Sequence, residues 1–96
     1  MPTYISLCRW TLQGAQTIKE SPARLDAARK AFAADGIKIL SFYLTTGTHD
    51  FVIISEAPND DAMAKAMLST ISRGGITTQT SRAFTEDEYR ALIKSL

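Results

Sequence analysis

The sequence predicts an α+β fold of the ferredoxin-like type, β-α-β-β-α-β around a four-stranded antiparallel sheet, with one extra helix at the C-terminus. Three observations predict it. Ile37 to Glu56 reads as two strands rich in β-branched and aromatic residues, joined through Thr46-Gly47-Thr48, the pattern of a hairpin. A strand-like and then a helix-like stretch precede this hairpin, and a helix-like and then a strand-like stretch follow it. The chain then closes on its sharpest local signature, the capping-box sequence Thr85-Glu86-Asp87-Glu88 ahead of an apolar stripe.

Each element has its own cause. Tyr4 to Trp10 is the first strand, with Ile5 and Leu7 on one face and Tyr4, Ser6, Cys8 and Trp10 on the other. Thr11-Leu12-Gln13-Gly14 interrupts it, and Ala15 to Glu20 fits either a loop or one helical turn. Ser21-Pro22 starts the first main helix: serine can cap free amides, and proline suits the first helical position. Leu25, Ala28 and Phe32 give that helix an apolar side, and Asp35-Gly36 ends it, with Gly36 in the left-handed conformation.

The hairpin strands are Ile37 to Thr45 and His49 to Glu56. A two-residue turn at Gly47-Thr48 and a four-residue loop both pair Tyr43 with Val52 and Leu44 with Phe51, and Gly47 is available for a positive φ. Ala57-Pro58-Asn59-Asp60 breaks the strand and caps a second helix, Asp60 to Ser72, whose Met63, Met67 and Ile71 recur at four-residue steps. Asp60 and Asp61 suit its positive end, and Gly74-Gly75 closes it. Ile76 to Phe84 is a threonine-rich strand, polar on both sides, as suits a sheet edge. In the last helix Phe84 and Tyr89 occupy hydrophobic-staple positions, and Tyr89, Leu92, Ile93 and Leu96 form one stripe.

Right-handed crossovers put both main helices on one sheet face. That face is assigned Leu40, Phe42, Leu44, Phe51, Ile53, Ile5 and Leu7. The opposite face then carries Tyr4, Ser6, Cys8, Trp10, Ser41, Tyr43, Asp50, Val52 and Ile54, too apolar to be left in water. A second protomer is the simplest cover, and the C-terminal helix is the competing one.

Composition bounds the function. The 96 residues fit one domain, 1–96, with 45% apolar and 22% charged residues, an ordinary globular balance. A formal charge of +1 with interspersed signs gives no basic face for nucleic acid. With one cysteine and one histidine, neither a disulfide nor a structural metal site is expected. No phosphate loop, dinucleotide fingerprint or nucleophile elbow is present, so no cofactor is expected. No apolar run approaches the roughly 18 residues of a membrane span, and no leader pattern opens the chain, so the expected location is the cytoplasm.

Several stretches together carry a family resemblance. They are Pro2-Thr3-Tyr4-Ile5-Ser6-Leu7 with Trp10-Thr11 and Gly14, then Ile18-Lys19-Glu20-Ser21-Pro22-Ala23-Arg24 and Phe42-Tyr43-Leu44-Thr45. Asp50-Phe51-Val52, Glu56-Ala57-Pro58 and Arg82-Ala83-Phe84-Thr85-Glu86 complete them. On these the chain resembles the GYD-domain family over nearly its whole length, and through it the dimeric α/β-barrel superfamily. The resemblance implies a homodimer of ferredoxin-like protomers and no established general activity. The family's naming motif is Gly-Tyr-Asp, usually with one residue after the glycine. Gly47-Thr48-His49-Asp50 keeps its glycine and aspartate and has His49 where the family has tyrosine.

Four residues are candidate ligand contacts, and no residue is assigned a catalytic role. His49, the one histidine, is either an acid–base group or ligand donor at a pocket rim, or a solvated hairpin end. Asp50 either orients a ligand or caps the turn; as His49's strand neighbour it points to the other face, so the two form no dyad. Trp10 and Tyr43 either line an aromatic pocket or anchor a dimer interface. Cys8 reads as an inert strand residue, and Lys19 and Arg24 as solvated charge beside a helix start. Two functional classes follow. One is a homo-oligomeric ligand-binding or assembly module, whose partners are itself and a small molecule. The other is a cofactor-independent enzyme, monooxygenase- or isomerase-like, acting on a small organic substrate. A buried, roomy pocket with convergent polar groups favours the enzyme; a filled core favours the ligand-binding or assembly module.

Overall fold

The structure is a computed structural model and describes all 96 residues. Four strands, β1 (Thr3–Trp10), β2 (Lys38–Leu44), β3 (Phe51–Glu56) and β4 (Ile76–Ala83), form one antiparallel sheet in the order β2-β3-β1-β4. The helices are α1 (Leu12–Gln16), α2 (Ser21–Ala34), α3 (Asp60–Ser72) and α4 (Glu86–Lys94), with a 3₁₀ turn at Ile18–Glu20. From β1 to β2 the chain must pass β3, and from β3 to β4 it must pass β1. Right-handed passage puts α2 and α3 on the same face. The fold is therefore the ferredoxin-like one with an added C-terminal helix, and the polar strand β4 is an edge.

The hairpin has the expected register, Tyr43 opposite Val52 and Leu44 opposite Phe51. The Thr45 amide donates to the Asp50 carbonyl at 2.9 Å, which leaves Thr46 to His49 as a four-residue loop. Gly47 does not use a positive φ there. The glycines that do are Gly36 (φ 75°) and Gly74 (φ 81°), each just past a helix end, where a Cβ would be strained.

Two face assignments are corrected. On β1 the helix layer covers Tyr4, Ser6 and Cys8, while Ile5 and Leu7 point away. The register decides this: Ser6 lies opposite Ile53 and Cys8 opposite Phe51, and directly paired residues share a face. On β2 an irregularity between Ile39 and Ser41 breaks the alternation. It lets Ile39 and Phe42 both face the helices and leaves Leu40 outside.

The segment after β1 is also helical where an interruption was expected. Thr11 caps α1, its hydroxyl accepting from the Gly14 amide at 3.2 Å. The helical turns run directly into α2, so Ser21 is the first residue of that helix rather than its cap, and Glu20 holds the cap position without a side-chain bond.

The core fills one end of the space between helices and sheet. Tyr4, Phe32, Ile37, Ile39, Ala57, Met63 and Ala66 cluster there, with Ile53 and Met67 packed against them. Full burial of side chains such as Ile37 and Met63 contributes about 1.5–3 kcal/mol each. The Tyr4 hydroxyl donates to an Asp60 carboxylate oxygen and ties β1 to the start of α3. Burial first, and then this bond, push the Tyr4 phenol up to about 12. No helix is long and apolar enough to cross a membrane.

The capping box of α4 forms: the Thr85 amide donates to Glu88 Oε1 at 2.9 Å, and the Glu88 amide donates to the Thr85 hydroxyl at 3.2 Å. The bond from the Thr85 amide holds the Glu88 carboxyl below the ordinary range. Arg82 lies 4.3 Å over the Phe84 ring and 3.7 Å from Glu88. Beyond this anchor α4 buries nothing: Tyr89, Leu92, Ile93 and Leu96 are each half or more exposed. The C-terminal helix is not the cover of the outer sheet face.

Two outcomes are expected. Thr85→Ala removes a cap worth about 0.5–2 kcal/mol. Because α4 packs on nothing, amide exchange at Leu92 and Ile93 should accelerate while the global urea midpoint holds; a shared fall of both would mean that α4 unfolds with the sheet. For Tyr4, the folded chain keeps its proton where the unfolded chain loses it, from the ordinary 10.0 up to about 12. That contribution is complete below pH 10 and fades as pH rises towards 12. Urea midpoints should fall less between about pH 8 and about pH 11 in Tyr4→Phe than in the parent.

Candidate functional site

The other end of the helix–sheet space is not filled by side chains. A cleft of about 790 Å³ opens there between α2, α3 and the inner sheet face. Its origin is small residues facing small residues. α2 offers Ala27 and Ala28, while the inner sheet face offers Ser6, Cys8 and Ser55. These side chains are too short to meet, whereas Phe32 closes the gap at the filled end. Three aromatic rings form the floor: Phe51 stacks on Phe42 with centroids 5.2 Å apart and meets Trp10 at 5.0 Å, tilted by 42°.

Hydroxyls run along one side of this floor. The Ser6 and Thr80 hydroxyls lie 2.9 Å apart, as do those of Thr80 and Thr78, and the Cys8 thiol donates to Thr78 at 3.6 Å. Burial pushes the Cys8 thiol above its ordinary value, so it stays protonated and lacks the thiolate a nucleophile needs. No His, Cys, Asp or Glu side chains converge in a group of three able to hold a metal ion.

The open end is built by a clamp between the two helix–strand connections. The Thr11 amide donates to the Gly75 carbonyl at 3.0 Å and the Thr11 hydroxyl to the Gly74 carbonyl at 2.5 Å. A Cβ on Gly14 would fall 2.1 Å from the Gly75 carbonyl oxygen, so only glycine permits this approach. The clamp brings Arg24 and Arg73 to the same end as Trp10. Arg24 is a strut: it donates to the Thr17 hydroxyl at 2.6 Å, to the Thr17 carbonyl at 3.1 Å and to the Gly14 carbonyl at 3.3 Å, with Glu20 3.8 Å away. The Arg73 guanidinium has no protein partner.

Of the four candidate residues, Trp10 lines the cleft. Asp50 stands at the same end: its Oδ2 accepts from the Trp10 backbone amide at 3.0 Å, and its own amide donates to the Cys8 carbonyl at 2.8 Å. His49 is half-buried in the hairpin loop, where its carbonyl accepts from the Thr45 hydroxyl, and it is outside the cleft lining. Tyr43 is on the opposite sheet face, 60% exposed. The structure thus joins Trp10 with Asp50 and separates both from Tyr43. Phe42, Phe51 and Arg73 are cleft residues outside the four sequence candidates. The signal for the aromatic pair was the strand alternation that already put them on one face, while Arg73 had none beyond its place before Gly74-Gly75.

Comparison with known proteins adds three findings. The sequence profile of the GYD domain family matches residues 4–93. A Thermus thermophilus protein, named the glutamine synthetase and cystathionine beta-lyase binding protein, is 34% identical over 95 residues, covering 98% of this chain and all of that protein. The crystal structure of TTHA0845 from the same organism has a TM-score of 0.56 at 22% identity, over 88% of this chain and 95% of that one, and so shares the fold.

Asp50 holds the end of β1 against the hairpin through a charge-assisted bond to Trp10. Asp50→Ala should cost about 1.5–3 kcal/mol in urea unfolding and move the Trp10 emission maximum. An Asp50→Ala variant with the parent's midpoint and emission would show that the bond contributes nothing net.

Proposed function

The chain belongs to the GYD domain family, and from that premise we propose that it is a non-catalytic binding and assembly module of the cytoplasm. Two copies bury their outer sheet faces against each other, and each holds a small organic molecule in its helix–sheet cleft. One observation carries this: both faces of the sheet are apolar and α2 and α3 occupy only one of them. Ile5 and Leu7 of β1 pair with Ile54 and Val52 of β3 and point outward, next to Tyr43, so the central strands present a continuous apolar patch. A two-fold axis lets such a patch cover itself.

The candidate residues divide between the two surfaces. Tyr43 belongs to the sheet–sheet contact, Trp10 to the ligand, and His49 and Asp50 to the hairpin end beside it. The Thermus relative's name supports protein partners as well, since that protein is described as binding two enzymes. The exposed stripe of α4 is the kind of amphipathic helix that settles into a partner's groove. A buried free thiol such as Cys8 suits a reducing compartment.

Self-association is tested by light scattering at micromolar concentration. The parent should have at least twice the chain mass, with about 1,200–2,000 Å² buried in total. Val52→Asp, and separately Ile54→Asp, should shift it to monomer with the helical signal retained. A monomeric parent would overturn the assembly.

A further inference from the structure

We propose that the cleft takes an organic anion, with a flat apolar body on the Phe42–Phe51–Trp10 floor and its acid group against Arg73 at the open end. This rests on the cleft being a ligand site and adds the chemical class of the ligand. The lining is mostly hydrophobic, and its charged members are Arg24 and Arg73, with no carboxylate among them. A cationic ligand would meet the unpartnered Arg73 guanidinium with like charge, and a neutral one would leave it without a partner.

The two arginines are not equivalent. Arg24 spends its donors on Thr17 and Gly14 and already has Glu20 nearby. Arg73 is held by its backbone alone: its amide donates to the Thr70 carbonyl at 3.3 Å, and its carbonyl accepts from Gln13 at 3.4 Å. Its planar fork of donors therefore remains available for two parallel bonds to one acid group. Such a bond at the edge of an apolar cleft is stronger than in open water, because the ligand's body excludes solvent from one side.

The shape of the floor selects the body. Phe42, Phe51 and Trp10 form one contiguous aromatic floor, and α2 lines the cleft above it with Leu25, Ala27 and Ala28. Flat ring systems fill such a slot with more contact and less lost internal freedom than a flexible chain does.

The single tryptophan gives one indole N–H signal, and it lies on the cleft floor. Three probes of one shape, 2-naphthoate, 2-naphthamide and 2-naphthylmethylammonium, are titrated against the full chain while that signal is followed. We expect 2-naphthoate to bind about tenfold more tightly than the amide, and the cation most weakly. Arg73→Gln should erase the gap between naphthoate and amide and leave amide binding unchanged; Arg73→Lys should restore part of it. Ala28→Leu, which fills the cleft, should weaken all three. Equal binding of naphthoate and amide, or a gap that survives Arg73→Gln, overturns the anion assignment and leaves the cleft as a ligand site. Failure of all three probes to move the Trp10 signal overturns the ligand site itself.

Discussion

The pairing of β1 with β3 is the constraint on which the rest depends. Ser6 opposite Ile53 and Cys8 opposite Phe51 fix which half of β1 faces the helices. A one-residue slip would send Ile5 and Leu7 inward and place Tyr4, Cys8 and Trp10 on the outer face. The Tyr4 bond to Asp60, the hydroxyl run from Ser6 to Thr78 and the aromatic floor would all be lost together. The same register makes Ile5, Leu7, Val52 and Ile54 neighbours on the outside. One set of ladder bonds thus creates both the cleft and the apolar patch.

The helix–sheet space is divided between two tasks. At the Tyr4 end, Phe32, Ile37, Ile39 and Met63 supply most of the buried apolar surface that offsets chain entropy. At the Trp10 end, alanines on α2 face serine and cysteine on the sheet, and volume is left over. A volume that side chains leave unfilled gives up dispersion contacts that larger side chains would make, so the filled end carries more of the stability. The Thr11–Gly75 clamp and the Asp50–Trp10 bond keep the open end from collapsing, because both are backbone-anchored and do not depend on what fills the cleft.

Three apolar surfaces remain unmatched within one chain: the outer sheet face, the cleft and the stripe of α4. A chain this small has little polar surface to hide them with. Their chemistry differs, which argues for different occupants. The sheet face is flat and suits another sheet; the cleft is concave, aromatic and edged by a cation; the α4 stripe is narrow and borne on a helix whose start is fixed by a capping box. α4 is specified by the Thr85–Glu88 capping box rather than by packing.

What the sequence determined by itself is what neighbours along the chain decide. The hairpin register, the α3 bounds from Asp60 to Ser72, the left-handed Gly36 and the α4 capping box follow from contacts a few residues apart, and all stand in the structure. Trp10 was legible as an aromatic candidate because it is the only indole in a strand-like run. The α1 turn escaped because Thr11-Leu12-Gln13-Gly14 carries no helical periodicity and is held by bonds to Gly74 and Gly75, far away in sequence. Only the tertiary structure decided which face of β1 is inside, where β2 breaks its alternation, that α4 covers nothing, and that Arg73 and Trp10 line one cleft. Both alternations of β1 are about equally apolar, so no local preference separates them. The choice is made when β1 hydrogen-bonds to β3, a partner on the far side of two helices and a strand in the chain order.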